Sequence, residues 1–254
     1  MKRFSLFLLT SVLLVGVIML FSMPAVSSAD QLDEAKKLFD QRADTEKAKQ
    51  GIEILQKIVE KEPKNFAAYE LLSRLSVYVA MDLATNKDTE MDSYEYLGMA
   101  GEVTDAWLKL QPKAVGPNFW KAYAAAAAKD IKTALSYGEA AYKIDKKYFN
   151  GMPALVLGYL KGLLPPFMGG DKVLAYKLID EAMEAAPDNL MIHRVKAMLL
   201  VNDTKESAQK ALVHLQFVLE SPPAKGWEPE AKRDKGVAQQ LMTGYGEALK
   251  ALGK

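Results

Sequence analysis

Hydrophobic residues recur along this chain at the spacing of an amphipathic α-helix. In residues 52–60, Ile52, Leu55 and Val59 fall on one stripe, and charged or polar residues occupy most other positions. No stretch alternates apolar and polar residues as a strand would, and Ala, Leu, Lys and Glu, which favour helices, dominate. The pattern predicts an all-α protein with about eleven helices after the N-terminal segment. These helices are predicted over residues 31–42, 45–61, 65–86, 90–110, 116–127, 130–145, 152–163, 171–185, 189–201, 204–219 and 229–251.

The predicted helix that ends before Pro187 carries a small–large–small pattern. Ala175, Ile179 and Ala182 stand at relative positions 0, 4 and 7, which is the spacing of the second helix of a tetratricopeptide repeat. The small residues let neighbouring helices approach closely, and the larger one fills the space between them. The proline at relative position 12 ends the helix and turns the chain into the next repeat.

The same pattern recurs in chain order. Four other segments fit it, two of them with the closing proline: Gly51–Pro63, Ala100–Pro112, Ala134–Lys146 and Ala208–Glu220. The closing positions are 49, 34, 41 and 33 residues apart, so two intervals match a repeat of about 34 residues and two require inserted helical turns or a longer loop. We therefore predict a tetratricopeptide-like, right-handed solenoid of antiparallel helix pairs. The first helix of each pair would line a concave face, and such faces bind peptides or partner proteins.

The N-terminus has the three parts of a secretory signal. Two positive residues precede the uncharged run 4–23, Pro24 ends that run, and the small residues 27–29 provide a cleavage site. We predict a cleaved signal peptide over residues 1–29, a single helical-repeat domain over 30–254, and a periplasmic protein. The alternative is an inner-membrane anchor, because the run 4–23 is about long enough to span a bilayer.

Charge and composition exclude several classes of function. Loss of residues 1–29 removes two of the 33 basic residues and none of the 32 acidic ones, leaving a net charge of −1 that gives no reason to bind nucleic acid. The chain has no cysteine, which rules out disulfides, thiol catalysis and a lipid-modified N-terminal cysteine. Sequence signatures of serine hydrolases, phosphate-binding loops and dinucleotide sites are absent. We therefore expect neither an enzyme nor a cofactor.

The two histidines, His193 and His214, lie on consecutive predicted helices and could approach each other. No further ligand stands at a spacing known from metal sites. We expect a structural pair and no bound metal.

Two regions carry candidate binding residues. Trp120 and Tyr123 lie on one face of their predicted helix, where they belong either to the core or to a cleft. The loop 163–171 contains two prolines, which end the preceding helix, and two glycines, which permit a turn. It is either a plain connector or the wall of a ligand site or pore, and Tyr159, one turn earlier, could join that wall.

The loop also carries a family likeness. Residues 157–189 resemble the T-component of tripartite ATP-independent periplasmic (TRAP) transporters, a family of tetratricopeptide accessory proteins. The likeness rests on six short runs: Leu157-Gly158-Tyr159, Leu164-Pro165-Pro166, Gly169-Gly170-Asp171, Pro187-Asp188-Asn189, Arg74 to Tyr78 and Asn118 to Ala122. It extends over roughly residues 50–250. Many members of the family are lipoproteins, and the absence of cysteine sets this chain apart from them.

The resemblance implies a periplasmic helper that pairs with a solute-binding subunit. It also implies a homo-oligomer with a pore or cleft for a small hydrophobic ligand. The cleft predicted for a ligand or partner comprises Arg74, Tyr78, Trp120, Tyr123, Tyr159, Pro165, Pro166, Phe167, Gly169 and Gly170. The alternative function is a general tetratricopeptide scaffold for cell-envelope assembly, which rests on the repeats alone.

Overall fold

The computed structural model describes residues 27–201 and 204–252. Within these ranges the chain forms eleven α-helices and one short 3-10 helix, Pro166–Met168, with no β-strand, so the predicted all-α class is confirmed. The α-helices are α1 (Ser28–Asp40), α2 (Thr45–Lys61), α3 (Phe66–Leu83), α4 (Glu90–Leu110), α5 (Val115–Ala127), α6 (Ile131–Ile144), α7 (Tyr148–Leu163), α8 (Lys172–Ala185), α9 (Leu190–Leu200), α10 (Lys205–Glu220) and α11 (Glu228–Leu252).

Side-chain caps fix many of the helix starts. At each of five helices an Asp or Asn accepts a hydrogen bond from a backbone N–H of the first turn, a group that has no partner within the helix. These residues are Asp44, Asn65, Asp130, Asp171 and Asn189. The predicted helix bounds agree with the observed ones to within four residues, and the largest difference, at the start of α7, coincides with a left-handed turn over residues 149–151.

Consecutive helices pack as antiparallel pairs: α1 with α2, α3 with α4, α5 with α6, α7 with α8, and α9 with α10. The first helix of each pair also contacts the first helix of the next pair, and α11 packs on both α9 and α10. This is the stacking predicted from the repeat pattern. The irregular repeat intervals are explained by the long helices α3 and α4, of 18 and 21 residues, and by the α7–α8 loop with its 3-10 helix.

The repeat-pattern residues lie where helices meet. Ala175, Ile179 and Ala182 are all buried, as their positions in the pattern predict. Trp107 departs from the repeat pattern, because it occupies a position that the pattern gives to a small residue. It fits because Gly116 of α5 faces it, and a Cβ atom at that glycine would lie 2.5 Å from Trp107 Cη2. The bulky residue on one helix is therefore matched by a missing side chain on the next.

The described residues contain no helix with the length and apolar character needed to cross a membrane. Residues 1–26 lie outside the described part of the chain, and they contain the alternative anchor over residues 4–23 and all but the last three residues of the predicted signal peptide. Ser27, at the predicted cleavage site, caps the first turn of α1. Export and the domain boundary at residue 30 therefore stay predictions.

Candidate functional site

Four of the ten predicted cleft residues come together on the concave face. Arg74 and Tyr78 project from α3, and Trp120 and Tyr123 project from α5. All four line a small cavity of about 30 Å³, which Phe149 from the start of α7 also borders. We call the concave surface formed by Arg42, Arg74, Tyr78, Trp120, Tyr123, Phe149 and Arg194 the groove.

Phe149 is a groove residue that the sequence analysis missed. Phe149, Asn150 and Gly151 all have positive φ angles, of 49°, 59° and 80°, in the left-handed region that a bulky residue such as phenylalanine rarely adopts. The turn places the Phe149 ring 5.5 Å from that of Trp120. Such strain persists only where the surroundings fix it, and it concentrates at functional sites. The Asn150-Gly151 dipeptide, a turn signal, was the clue available in the sequence.

Arg74 is packed among aromatic rings. Its guanidinium carbon lies 4.3 Å from the centre of the Phe39 ring, 4.9 Å from that of Phe149 and 5.0 Å from that of Trp227. Burial lowers the pKa of Arg74, and the nearby Glu230 carboxylate opposes that shift. The ring faces attract the cation and partly replace the water that it has lost.

The chain's own C-terminal part covers the groove. We call residues 224–234, the end of the loop before α11 and its first two turns, the closing segment. In this segment the Trp227 ring lies 5.4 Å from the Phe149 ring, and Arg194 Nε donates to Asp234 Oδ1 at 2.8 Å. Burial raises the pKa of Asp234, while the charges of Arg194 and Arg233 oppose the shift.

The strongest link between groove and closing segment is a buried ion pair. Arg42, in the turn between α1 and α2, is 1% exposed, and its Nε donates to Glu230 Oε1 at 3.0 Å. A second nitrogen of Arg42 donates to the other oxygen of the same carboxylate. Arg42 also donates to the backbone carbonyls of Phe39 and Gly226. The pair joins residues 188 positions apart, so the first and last parts of the solenoid meet across the groove.

The floor of the groove holds poorly satisfied donors. Trp120 is 2% exposed, and among the described residues its indole Nε1 has no hydrogen-bond partner. Burial and the Glu70 carboxylate raise the pKa of the nearby Tyr148 phenol, and the Trp120 indole opposes that shift. The Tyr123 hydroxyl donates to Met81 Sδ at 3.4 Å, a weak acceptor. Buried donors of this kind usually have partners.

A cavity of about 280 Å³ lies beside the closing segment. The α8–α9 turn, residues 187–189, lines one side, and Trp227, Glu230 and Asp234 line the other. The acidic side chains of the closing segment therefore border open space as well as the arginines of the groove.

The other six predicted cleft residues do not line the groove cavity: Tyr159, Pro165, Pro166, Phe167, Gly169 and Gly170. Tyr159 packs partly buried against the central core near the end of α7. Phe167, in the α7–α8 loop, is 88% exposed. Leu163 and Val173, which flank the loop, are exposed as well. The structure therefore divides the predicted cleft into a groove and an apolar surface loop.

The backbone conformation of this loop requires glycine at both positions, 169 and 170. Gly169 has a φ of 92°, and a Cβ atom at Gly170 would lie 1.8 Å from the carbonyl oxygen of Leu164. We expect Gly170→Ala to destabilise the protein by about 1–3 kcal/mol, because backbone must move to admit the methyl group. The measurement is urea denaturation monitored by circular dichroism.

Gly98, in the middle of α4, is the matched control, since a Cβ atom there meets nothing within 4 Å. Gly98→Ala should stabilise the protein by about 0.5–1 kcal/mol, the usual difference between glycine and alanine in a helix. Equal effects of the two substitutions would show that the close contact at Gly170 is wrong.

The two histidines do approach each other, as expected. His193 Nδ1 lies 3.0 Å from His214 Nδ1, and His193 Nε2 lies 2.7 Å from the carbonyl oxygen of Pro187. A carbonyl only accepts, so His193 carries its proton on Nε2 and its Nδ1 accepts the N–H of His214. Among the described residues no group of three or more His, Cys, Asp or Glu side chains could hold a metal ion.

The histidine pair predicts that the folded protein loses stability as the pH falls. Burial, repulsion by His193 and the charge of Lys196 lower the pKa of His214 to about 4, while Asp180 opposes the shift. Because this pKa lies below the ordinary value of about 6.5, the unfolded chain takes up the proton first as pH falls between the two values. We expect a loss of stability on the order of 1–2 kcal/mol over that range, after allowance for solvent screening at this half-exposed ring.

Urea denaturation at about pH 7 and about pH 5 measures this loss, and His214→Gln should reduce it. Carboxylates contribute alike to both proteins, so the difference between them isolates the histidine. An identical pH dependence in the variant would contradict the assignment.

A comparison with solved structures supports the fold. The chain is similar to a thermophilic tetratricopeptide-repeat protein from Thermus thermophilus, with a TM-score of 0.59 and 15% sequence identity. The similarity covers 84% of this chain and 100% of that protein. No protein-family model and no curated protein matches the chain. The likeness confirms the tetratricopeptide-like fold that the repeat pattern predicts.

Proposed function

We propose that this protein is a binding scaffold that takes a segment of a partner protein in the groove and does not catalyse a reaction. The observation that carries the proposal is the concentration of arginine and aromatic side chains on the concave face. Arg74 stacks on aromatic rings, and Trp120 leaves a buried donor unused. Arginine, tryptophan and tyrosine are the residues that most often dominate binding energy at protein interfaces.

We further propose that the partner is the solute-binding subunit of a TRAP-type transport system in the periplasm. The likeness of residues 157–189 to the T-component family supports this assignment, and the pattern of residues 1–29 supports export. The exposed apolar loop around Phe167 is suited to a small hydrophobic ligand or to contact with a second copy of the chain.

Titration of the chain with a TRAP solute-binding subunit from the same genome tests this proposal. We expect Arg74→Ala to weaken binding at least about tenfold, because arginine anchors in grooves contribute about 2 kcal/mol or more. Lys109→Ala, an exposed charge on α4, should have no effect and serves as the control. The proposal fails if no such subunit binds, or if both variants bind it equally well.

A general scaffold in cell-envelope assembly is the second candidate. The observation in its favour is that Phe167 is largely exposed, whereas a dedicated small-ligand site in the loop would enclose it. Capture of several unrelated envelope proteins through the groove, all weakened by Arg74→Ala, would favour this candidate over the transport subunit.

A further inference from the structure

The closing segment meets the groove in the way that a bound helix meets its receptor. Trp227 directly precedes α11, and Glu230 and Asp234 follow it at i+3 and i+7 in the first two turns of the helix. Each contacts a different part of the groove. Trp227 lies against Arg74 and Phe149, Glu230 pairs with Arg42, and Asp234 pairs with Arg194.

The charges of the two surfaces are complementary. The groove supplies arginines from the α1–α2 turn, from α3 and from α9, and the residues of the closing segment that meet these arginines are two carboxylates and an aromatic ring. The closing segment also brings Arg233 to the groove, where its guanidinium carbon lies 5.8 Å from the centre of the Tyr78 ring. Charge complementarity of this kind selects a partner and fixes its register. Basic residues at the positions of Trp227, Glu230 and Asp234 would instead face like charges.

The closing segment is packed on its C-terminal side and tethered by a loop on its N-terminal side. On its C-terminal side Ala231 and Ala238 pack in the cluster formed with α9 and α10. On its N-terminal side the loop over residues 222–226 is exposed, and its Gly226 has a φ of 81°. Trp227 itself is only partly buried. A segment tethered in this way reaches an effective concentration in the millimolar range and competes with any ligand in solution.

We propose that the groove recognises a helical partner segment with an aromatic residue, an acid three positions later and a second acid four positions after that, and that the closing segment is its tethered competitor. This inference rests on the proposed function, since it names the chemistry of the partner for the same groove.

The test uses a synthetic peptide with the sequence of residues 221–234 in which the tryptophan is replaced by phenylalanine. The protein's Trp107 and Trp120 are buried, so the partly exposed Trp227 is the indole whose fluorescence reports release of the closing segment. Addition of the peptide to the full chain should raise the quenching of Trp227 by acrylamide. The Trp227→Phe chain lacks the reporter and is the control for that signal.

Affinity is measured separately with a fluorescein-labelled copy of the peptide. We expect Trp227→Ala, which weakens the competitor, to bind it at least about tenfold more tightly than the wild-type chain. Lys232→Ala, an exposed charge on the same turn of α11, should bind it as the wild type does. Glu230→Gln provides a second weakened competitor that keeps the size of the side chain. Circular dichroism checks that each variant is folded.

Equal affinity of the wild type and both weakened variants overturns the inference, as does equal binding of a control peptide in which the acids at positions 230 and 234 are changed to amides. These outcomes are separable from failure of the proposed function. If a solute-binding subunit binds through Arg74 but the peptide does not, the groove is a binding site and the partner chemistry stated here is wrong. If the peptide binds and no such subunit does, the partner assignment alone fails.

Discussion

Arg42→Ala is expected to destabilise the protein by about 3–5 kcal/mol, measured by chemical denaturation of the full chain. The substitution removes one partner of a buried ion pair and leaves the Glu230 carboxylate, in a residue that is 7% exposed, without its hydrogen-bonded counter-charge. It also leaves the carbonyl oxygens of Phe39 and Gly226 without the donors that Arg42 provides. The loss is large because desolvation of the carboxylate is no longer offset.

The chain contains a matched control for this effect. Lys210 and Glu206 form an ion pair on α10 whose side chains are 62% and 77% exposed. Lys210→Ala should change stability by less than about 0.5 kcal/mol, because exposed pairs contribute little. Replacing both buried partners, as in Arg42→Met with Glu230→Leu, should recover most of the loss. A loss below about 1 kcal/mol for Arg42→Ala would show that the groove is not closed by this pair.

Trp120→Ala is expected to cost about 3–5 kcal/mol of stability, whereas Phe167→Ala should stay within about 0.5 kcal/mol of the wild type. The two aromatic residues were equivalent as predicted cleft residues, but the structure buries the first and exposes the second. Trp120 packs against Phe119, Tyr123 and Phe149 at ring distances of 4.8, 6.0 and 5.5 Å, so its removal leaves a cavity.

Thermal or urea denaturation of both variants measures the difference. Trp120→Phe is the informative third variant, because it keeps an aromatic ring in the core and removes the unpaired N–H. It should be less destabilising than Trp120→Ala. If the two alanine variants lose the same stability, the burial of Trp120 or the exposure of Phe167 is wrong.

The helices and their stacking were predictable because both depend on local pattern. Caps such as Asp44 and Asp171 mark where helices begin, and small residues such as Ala175 and Ala182 mark where helices approach each other. These signals act within a few residues of the position that they define. The two irregular repeat intervals were visible in the sequence as well, since a longer helix or loop changes the spacing directly.

The closing of the groove was not predictable from such signals. The Arg42–Glu230 pair spans 188 residues, and its formation depends on how far five helix pairs curl, a property that adds up small rotations between neighbours. Glu230 and Asp234 resemble ordinary solvated acids of a helix face in the sequence. The left-handed turn at Phe149 depends likewise on tertiary contacts, because the backbone alone disfavours it.

Part of the candidate site was predictable, because it depends on the local geometry of single helices. Arg74 with Tyr78, and Trp120 with Tyr123, each lie one turn apart on a single helix, so their shared direction follows from helical geometry. Which pairs meet across helices follows from the stacking order. The α7–α8 loop shows the opposite case, because composition identified it as unusual but gave no information on which surface it would face.

A distance measurement tests most directly whether the last helix closes over the groove. The chain has no cysteine, so Gln41→Cys with Glu228→Cys gives two unique spin-label sites at exposed positions beside Arg42 and within the closing segment. Electron paramagnetic resonance should then show one short, narrow distance distribution between the labels in the full chain. A broad distribution centred at long distance would show an open solenoid and contradict the account.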